Sequence, residues 1–326
     1  MSVATVDRVL NRRLPVRGDT AARVTEAAEA IGYHGAGLLK RRLLEVPRRH
    51  FGFLLQKRSE PFYQALAAGL SEAVEAADFI RGRASIAFVD EVSPGAIAAR
   101  LRELAPRVDA MALVAVDHPS VNEAVAWASA QGKPVVTLLT DLTTPARAAC
   151  VSVDRRRSGR TAAWAITRLA RQPGKIGILI GSHRYLSQEL SEIACRGYVR
   201  EYAPAFQVLE PVVVLDDPRI AHEAVIDMLS SNPDLVGIYS AGGGGDGVAR
   251  AISEEKAGER VVVVCNELTP TTRSALGDGT VDLVLGTPIA ALARKAVEAM
   301  EGALLGRVAG GTQFLLPADL HISESI

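Results

Sequence analysis

From residue 50 to the C-terminus, short apolar, β-branched runs alternate with segments that carry apolar residues at three- and four-residue spacing. The first pattern predicts strands and the second predicts amphipathic helices. The predicted strands are Phe51–Leu55, Ile86–Val89, Ala110–Val114, Pro134–Leu139, Ala149–Val153, Lys175–Ile180, Val208–Val214, Gly237–Ser240, Val261–Cys265 and Val281–Leu285. Because helical stretches follow most of these strands, the order predicts parallel sheets with right-handed crossovers.

Ten strands are more than a typical single sheet contains, so we favour two sheets of about five to six strands each. The competing architecture is an enzyme with a Rossmann domain, which needs a glycine-rich turn after its first strand. Here that turn is Gln56–Pro61, which contains no glycine. We therefore predict an α/β fold with two parallel-sheet, Rossmann-like lobes.

The segment Ala241–Gly247 reads AGGGGDG, follows a predicted strand and opens a predicted helix. Backbone N–H groups at such a helix start can hold an anion. The segment lacks the Lys-Ser/Thr pair of a P-loop, and no acidic residue ends a second strand at the dinucleotide spacing. We interpret it as a tight loop facing a small ligand, with a nucleotide site as the weaker alternative.

Charge and cysteine content narrow the functional classes. The chain has 37 basic and 37 acidic residues and thus no net charge, so any attraction to nucleic acid must be local. Residues 1–50 carry such a basic excess. Cys150, Cys195 and Cys265 are widely spaced without a CxxC motif, which predicts buried thiols and neither disulfides nor a zinc site. No metal and no cofactor are predicted.

No apolar run approaches the roughly 18 residues of a membrane span, and the N-terminus lacks the apolar region of a signal peptide. We expect a cytoplasmic protein that has no membrane partner. Enzyme motifs such as HExxH and G-x-S-x-G are also missing, so we predict no catalytic residues and no enzymatic activity.

Residues 1–34 contain two amphipathic helical patterns separated by a turn. The first places Val6 and Val9 on one face and Thr5, Arg8 and Asn11 on the other. The second begins near residue 19 or 20 and stops at residue 32. Each is too short to be stable alone, so we expect further packing partners.

The string S-x-x-T-V-x-R-V-L-N, with the later R-V-x-x-A-A and I-G-Y, resembles the recognition helix and third helix of the LacI-family headpiece. The family has a further helix upstream that this sequence lacks, so we expect a headpiece remnant or a longer native protein. The resemblance implies base contacts by Val3, Ala4 and Arg8 and phosphate contacts by Ser2, Thr5 and Asn11. The alternative is that these residues form only the solvated face of a small helix.

Residues 35–49 would then correspond to the family's hinge helix, in which a leucine wedges into the minor groove. Leu38, Leu39 and Leu43 are candidates for that wedge, and Leu39 is the one we assign. The basic residues of this stretch suit phosphate contact, and Arg41 is assigned to it.

Residues 50–326 resemble the sugar-binding-protein-like core of the same family. Glu60, Phe62 and Tyr63 lie in an element similar to N-P-F-F, whose aromatic rings stack on sugars; the alternative is that the rings only begin a core helix. The resemblance also implies an effector site formed by residues that follow strands: Asp117, Asp154, Arg155, His183, Tyr185 and Asn266. Departures at Ala241 and Gly286 mean that ligand specificity cannot be copied from the sugar-binding relatives.

The predicted division is a DNA-binding headpiece at 1–34, a hinge at 35–49 and an effector domain at 50–326. Within the last, lobe 1 covers about 50–152 and 281–308, and lobe 2 covers about 153–280 and 309–326. The function implied by the resemblance is a homodimeric or homotetrameric transcription repressor, whose binding to operator DNA is controlled by a sugar or polyol. The alternative is a ligand-binding sensor or solute-binding protein that does not bind DNA.

Overall fold

The computed structural model describes residues 3–11, 18–43, 47–308 and 310–326. Three short helices begin the chain: α1 (Val3–Asn11), α2 (Gly18–Ala30) and α3 (Ala36–Leu43). They agree with the helical patterns in the sequence. Ser2 lies outside the described residues, as do the side chains of Val3, Ala4, Asn11 and Arg41.

The predicted wedge residue Leu39 is not available for insertion into another molecule. Its side chain is 4% exposed and packs with Ala28 and Ala36, with Val9 against the same cluster. Burying a leucine contributes about 1.5–3 kcal/mol, which is lost if the side chain turns outward. Arg8 is exposed and Thr5 is partly buried. Leu39 therefore holds α3 against α2, and its assignment as a wedge is wrong.

The first lobe opens with five parallel strands and three helices. The strands are β1 (Arg48–Gln56), β2 (Arg81–Val89), β3 (Ala110–Leu113), β4 (Val135–Leu138) and β5 (Ala149–Val153). The helices are α4 (Pro61–Ala76), α5 (Pro94–Leu104) and α6 (Pro119–Ala130). The strands are continuous apolar runs because helices cover both faces of the sheet.

The second lobe repeats this arrangement. Its strands are β6 (Lys175–Ile180), β7 (Gln207–Val208), β8 (Val212–Val213), β9 (Leu235–Ser240), β10 (Val262–Asn266) and β11 (Leu283–Gly286). Its helices are α7 (Arg155–Leu169), α8 (Leu186–Tyr202), α9 (Pro218–Ser231), α10 (Gly245–Glu254) and α11 (Pro270–Gly277). The strand predicted over 208–214 is divided into β7 and β8 because Pro211, between them, has no N–H to donate to a sheet.

The C-terminal segment returns to both lobes with α12 (Ile289–Leu304), β12 (Thr312–Leu316) and β13 (Asp319–His321). The six-stranded sheet has the order β12-β5-β4-β3-β1-β2, and the seven-stranded sheet has the order β13-β11-β10-β9-β6-β7, with β8 also paired to β6. Among the strands of the described residues, β13 alone is antiparallel to its neighbour. The two-lobed α/β fold with parallel sheets is confirmed.

The pairing differs from the predicted lobe boundaries near the C-terminus. β11 pairs with β10 in the second sheet, whereas the prediction placed 281–308 wholly in lobe 1. β12 pairs with β5 in the first sheet, although 309–326 was assigned to lobe 2. The chain thus passes between the lobes after β5, after β11 and after β12. The first and third of these crossings lie side by side, because the N–H of Asp154, which follows β5, donates to the carbonyl of Leu316, which ends β12, at 2.8 Å.

The remaining sequence expectations concern thiols and membranes. Cys150, Cys195 and Cys265 are buried free cysteines, as predicted. Burial raises the pKa of each thiol to about 12, so all three stay protonated and unreactive. Among the described helices, none combines the length and the hydropathy of a bilayer-spanning segment.

Candidate functional site

A cleft lies between the two lobes, where the carboxyl ends of both parallel sheets face each other. Its volume is about 820 Å³, part of it open to solvent. In open α/β sheets the residues that follow the strands meet at this edge, which makes it the usual place for a ligand. The polar and aromatic residues that line the cleft are Lys57, Glu60, Phe62, Tyr63, Arg155, Ser187, Gln188, Asp216, Asp246, Asn266, Glu267, Thr269 and Thr272.

The first lobe contributes the aromatic pair that the sequence predicted. Pro61 starts α4, so Phe62 and Tyr63 lie in the first turn of that helix, directly above the end of β1. Their rings meet edge to face, with centroids 5.3 Å apart. The Tyr63 hydroxyl donates to Oε1 of Gln56 at 3.3 Å, and burial raises the pKa of Tyr63 well above its ordinary value. The Tyr63 phenol therefore stays neutral, and its hydrogen bond to Gln56 holds the ring in one orientation.

The second lobe contributes Arg155, the first residue of α7. Its side chain is 10% exposed and approaches the Glu267 carboxylate at 3.5 Å. Glu267 is in turn held by the backbone N–H of Thr287 at 3.0 Å and by the Thr287 hydroxyl at 2.6 Å. Nε of Arg155 is buried without a hydrogen-bond partner in the described part of the chain. An unpaired buried donor costs about 1–3 kcal/mol, which an acceptor on a ligand would recover.

Asn266 ends β10 and is fixed by bonds on both sides of its amide. Its Nδ2 donates to the carbonyl of Ala241 at 2.6 Å, and its Oδ1 accepts from the Tyr239 hydroxyl at 3.4 Å. Burial raises the pKa of Tyr239 to about 12, so this hydroxyl remains a donor. Asn266 is thus a rigid polar group in the wall of the cleft, as expected from its place after a strand.

Asp216 is a functional candidate that the sequence analysis missed. It lies in the loop after β8, where its φ of +50° is unusual for a residue other than glycine. Its Oδ1 accepts from the N–H of Gly243 at 2.6 Å and from Nε2 of Gln188 at 3.2 Å. Burial raises the pKa of Asp216, and the Gly243 N–H and the Lys57 charge oppose that rise.

The glycine cluster makes room for this carboxyl group. A Cβ on Gly242 or Gly243 would lie 2.5 or 2.8 Å from atoms of Asp216, and one on Gly181 would lie 2.3 Å from its Oδ1. These separations are far below van der Waals contact. Gly242 and Gly243 therefore accommodate the protein's own carboxylate, which accounts for these two glycines without a bound phosphate.

Several contacts join the lobes beside the cleft. Nζ of Lys57, which follows β1, donates to the carbonyls of Leu215 and Asp216 at 3.0 and 2.8 Å. The Tyr185 hydroxyl of lobe 2 donates to Oε1 of Gln56 in lobe 1 at 2.9 Å. The N–H of Asp117 donates to the carbonyl of Arg184 at 2.9 Å. The lobes are therefore closed on each other.

The predicted effector residues divide into two groups. Glu60, Phe62, Tyr63, Arg155 and Asn266 line the cleft together. Asp117, Asp154, His183 and Tyr185 are not among its lining residues.

The side chains of Asp117, Asp154 and Tyr185 have partners elsewhere in the structure. The Asp117 carboxylate accepts from Asn122 and Thr143, and Asp154 caps α7 by accepting from the N–H of Arg157. His183 is exposed. Tyr185 packs into the apolar core of lobe 1, so it joins the lobes without facing the cleft.

Lys57, Gln188, Asp216 and Glu267 were not predicted. Three of them follow strands, as the predicted site residue Asn266 does: Lys57 follows β1, Asp216 lies after β8 and Glu267 follows β10. No group of three or more His, Cys, Asp or Glu side chains among the described residues is arranged to hold a metal ion.

Comparison with known proteins identifies the architecture. A family model described as a periplasmic binding protein domain matches residues 51–307. No curated protein matches the chain.

Several solved structures share its fold. A transporter solute-binding protein from Agrobacterium vitis bound with alpha-D-tagatopyranose is 17% identical, with a TM-score of 0.78 over 85% of this chain and 95% of its own. A glucose-galactose binding protein from Geobacillus stearothermophilus is also 17% identical, with a TM-score of 0.78 over 86% of this chain and 99% of its own. A periplasmic solute-binding protein from Actinobacillus succinogenes 130z with bound D-allose is 17% identical, with a TM-score of 0.75 over 85% and 99%.

These comparisons correct three predictions. The prediction of a DNA-binding transcription repressor is wrong, because the family model that matches residues 51–307 is that of a periplasmic binding protein domain, and the structures that share the fold are named as solute-binding or sugar-binding proteins. The prediction of operator DNA as a partner is wrong for the same reason. The prediction of a cytoplasmic location is wrong as well, since the matching family is described as periplasmic. By its fold and by the match over residues 51–307, the chain belongs to the family of periplasmic binding protein domains.

Proposed function

We propose that this protein binds a small polar ligand, of the size and chemistry of a sugar or polyol, in the cleft between its lobes. It would act as a solute-binding protein or as a ligand sensor, without binding DNA. One observation carries the proposal. The aromatic pair of one lobe, Phe62 and Tyr63, shares a cleft with Arg155 of the other lobe, whose buried Nε has no partner.

The chemistry of the lining suits a polyhydroxylated ring. A flat π surface packs against the C–H face of a pyranose, while its hydroxyl groups bond at the ring edge. Asn266 and Glu267 offer amide and carboxylate groups there, and both are held by neighbouring side chains. The structures with similar folds bind tagatose, allose and glucose or galactose, which supports the same ligand class for this cleft.

The N-terminal resemblance to the LacI-family headpiece is proposed as ancestry alone. Its support is the sequence string over residues 2–33 and the helices α1 and α2 that match it. Because Leu39 of α3 is buried against α2, we assign these helices no contact with a ligand.

The test is ligand binding by the full chain. Thermal unfolding is measured against a panel of aldoses, ketoses and polyols, and isothermal titration calorimetry is then applied to those that raise the Tm. A ligand at 100 times its Kd stabilises the folded state by about 2.7 kcal/mol, which is a measurable shift. Phe62→Ala should weaken binding about tenfold or more, whereas the matched variant Phe79→Ala, an exposed ring outside the cleft, should not. The proposal fails if no ligand of the panel binds, or if Phe62→Ala binds as tightly as the native chain.

A further inference from the structure

We propose that the ligand carries an amino group beside its hydroxyl groups, as an aminated sugar or polyol does, and that this ammonium group bonds to the Asp216 carboxylate. The inference rests on the proposed function, because it names the ligand class of the same cleft. It makes Asp216 the specificity-determining residue of the site.

The charges that line the cleft are unbalanced. Four carboxylates line it, those of Glu60, Asp216, Asp246 and Glu267, against the two cationic side chains of Lys57 and Arg155. Neither cation neutralises Asp216 directly. The Lys57 ammonium group bonds to main-chain carbonyls, and the ion pair of Arg155 is with Glu267.

Asp216 therefore has hydrogen bonds but no ion pair of 4 Å or less within the described ranges. Its donors are the neutral Gly243 N–H and the neutral Gln188 amide. Transferring a carboxylate from water into a cleft is unfavourable unless a cation accompanies it. A cationic group on the ligand would complete the pairing that the protein leaves unmade.

The carboxylate is held in place by a dedicated arrangement. Oε1 of Gln188 accepts from the N–H groups of Gly181 and Ser182, at 2.5 and 3.3 Å, so its NH₂ group must point at Asp216. Gly181, Gly242 and Gly243 leave the volume that the carboxyl group fills. Asp216 is therefore held in one orientation at the wall of the cleft, as a group that binds a ligand must be.

Arg155 supplies an independent observation about the same ligand. Its side chain is nine-tenths buried, and its unpartnered Nε requires an acceptor, such as a hydroxyl or ring oxygen. A simple alkylamine offers no such acceptor, and a neutral sugar offers no cation. A ligand carboxylate would add to the negative excess. An aminated sugar or polyol offers an acceptor to Arg155 and a cation to Asp216. In the sugar, the ring would also pack against Phe62 and Tyr63.

Calorimetry with matched ligand pairs tests the proposal. Glucosamine, galactosamine and mannosamine are each compared with the parent neutral sugar and with the N-acetyl derivative, in which the nitrogen is uncharged. We expect the best amine to bind at least tenfold tighter than its neutral parent, and acetylation to abolish the gain. Equal binding of amine and parent overturns the proposal but leaves the proposed function intact. Absence of binding by either kind of sugar counts against the proposed function itself.

Asp216→Asn identifies the residue responsible. Asparagine keeps the size, and its Oδ1 can still accept from Gly243, so the fold should be retained, as thermal unfolding will check. The variant should lose the preference for the amine, so that the amine and its neutral parent bind with Kd values within about threefold of each other. Asp227→Asn, an exposed carboxylate of α9 in the same lobe, serves as the control and should keep the preference. If Asp216→Asn retains the preference, the assignment to Asp216 is overturned.

Discussion

Nζ of Lys57 donates to the main-chain carbonyl of Asp216 at 2.8 Å, across the cleft and across 159 positions of sequence. The same ammonium group also bonds to the carbonyl of Leu215. All three residues have positive φ, with values of 42°, 55° and 50° in chain order. Such backbone conformations cost free energy and persist where surrounding contacts over-determine them. Lys57 thus ties the end of β1 to the loop that carries the candidate ligand-binding carboxylate.

Replacing Lys57 with methionine should weaken closure of the lobes. The variant keeps an unbranched chain of similar length but loses both bonds to the loop of Asp216. Two hydrogen bonds from a charged donor contribute about 3–6 kcal/mol when buried. Because the Lys57 contacts are exposed or only partly buried, water replaces much of this, and we expect a Kd raised about tenfold. Isothermal titration calorimetry measures the affinity, and small-angle scattering without ligand should give a larger radius of gyration.

Lys133→Met is the matched control for Lys57→Met. The ammonium group of Lys133 also donates to a main-chain carbonyl, that of Val108, but both residues lie in lobe 1. This variant should lower stability without changing the radius of gyration or the affinity. If both variants behave alike, the contact of Lys57 has no special role in closure.

Gly181→Ala should destabilise the protein through the carboxyl group of Asp216. The new Cβ would lie 2.3 Å from Oδ1, and forcing extra volume into a packed site costs about 1–3 kcal/mol. Denaturant unfolding measures the loss. In the double variant with Asp216→Ala the obstructing atoms are gone, so the penalty of Gly181→Ala should fall by more than half. Strict additivity of the two substitutions would contradict the steric explanation.

The strands and the fold class could be predicted because burial on both faces of a parallel sheet leaves continuous apolar runs in the sequence. Assignment of strands to lobes could not, since it depends on the strand with which β11 and β12 each pair, and no local pattern encodes that partner. β12 was also missed as a strand, because it is an edge strand with alternate residues exposed.

The site was predictable to a similar degree. Asn266 and Arg155 follow clear strands, and the rule of strand ends located both. Asp216 lies two residues after the strand predicted over Val208–Val214, so the same rule would have located it, although the sequence analysis did not select it. The relation between the glycine cluster and this carboxylate joins positions far apart in the chain, so it required the three-dimensional structure.

Arg49 and Glu301 form an ion pair that fixes the start of β1 to α12. Nε and Nη2 of Arg49 reach the two carboxylate oxygens at 2.7 and 3.0 Å, and the Glu301 side chain is 8% exposed. Arg49→Met leaves that carboxylate buried without a partner and should cost about 3 kcal/mol by denaturant unfolding. The double variant Arg49→Met, Glu301→Leu should recover most of this loss. If the single variant is as stable as the native chain, the pair contributes nothing to stability.

The stability of the unliganded protein should depend on pH through Asp216. Burial raises the pKa of this carboxyl group above its ordinary value, so between the unfolded and folded pKa values the folded state binds more protons. Stability attributable to Asp216 therefore falls as the pH rises through that window. Asp216→Asn does not titrate, so its Tm relative to the native chain should increase from about pH 4 to about pH 7, by roughly 2 °C for each kcal/mol. Within the described ranges the pKa of Asp282 is also raised by burial, but this group is unchanged in the variant and cancels in the difference. A Tm difference that stays constant with pH would mean that Asp216 ionises as easily in the folded protein as in the unfolded chain.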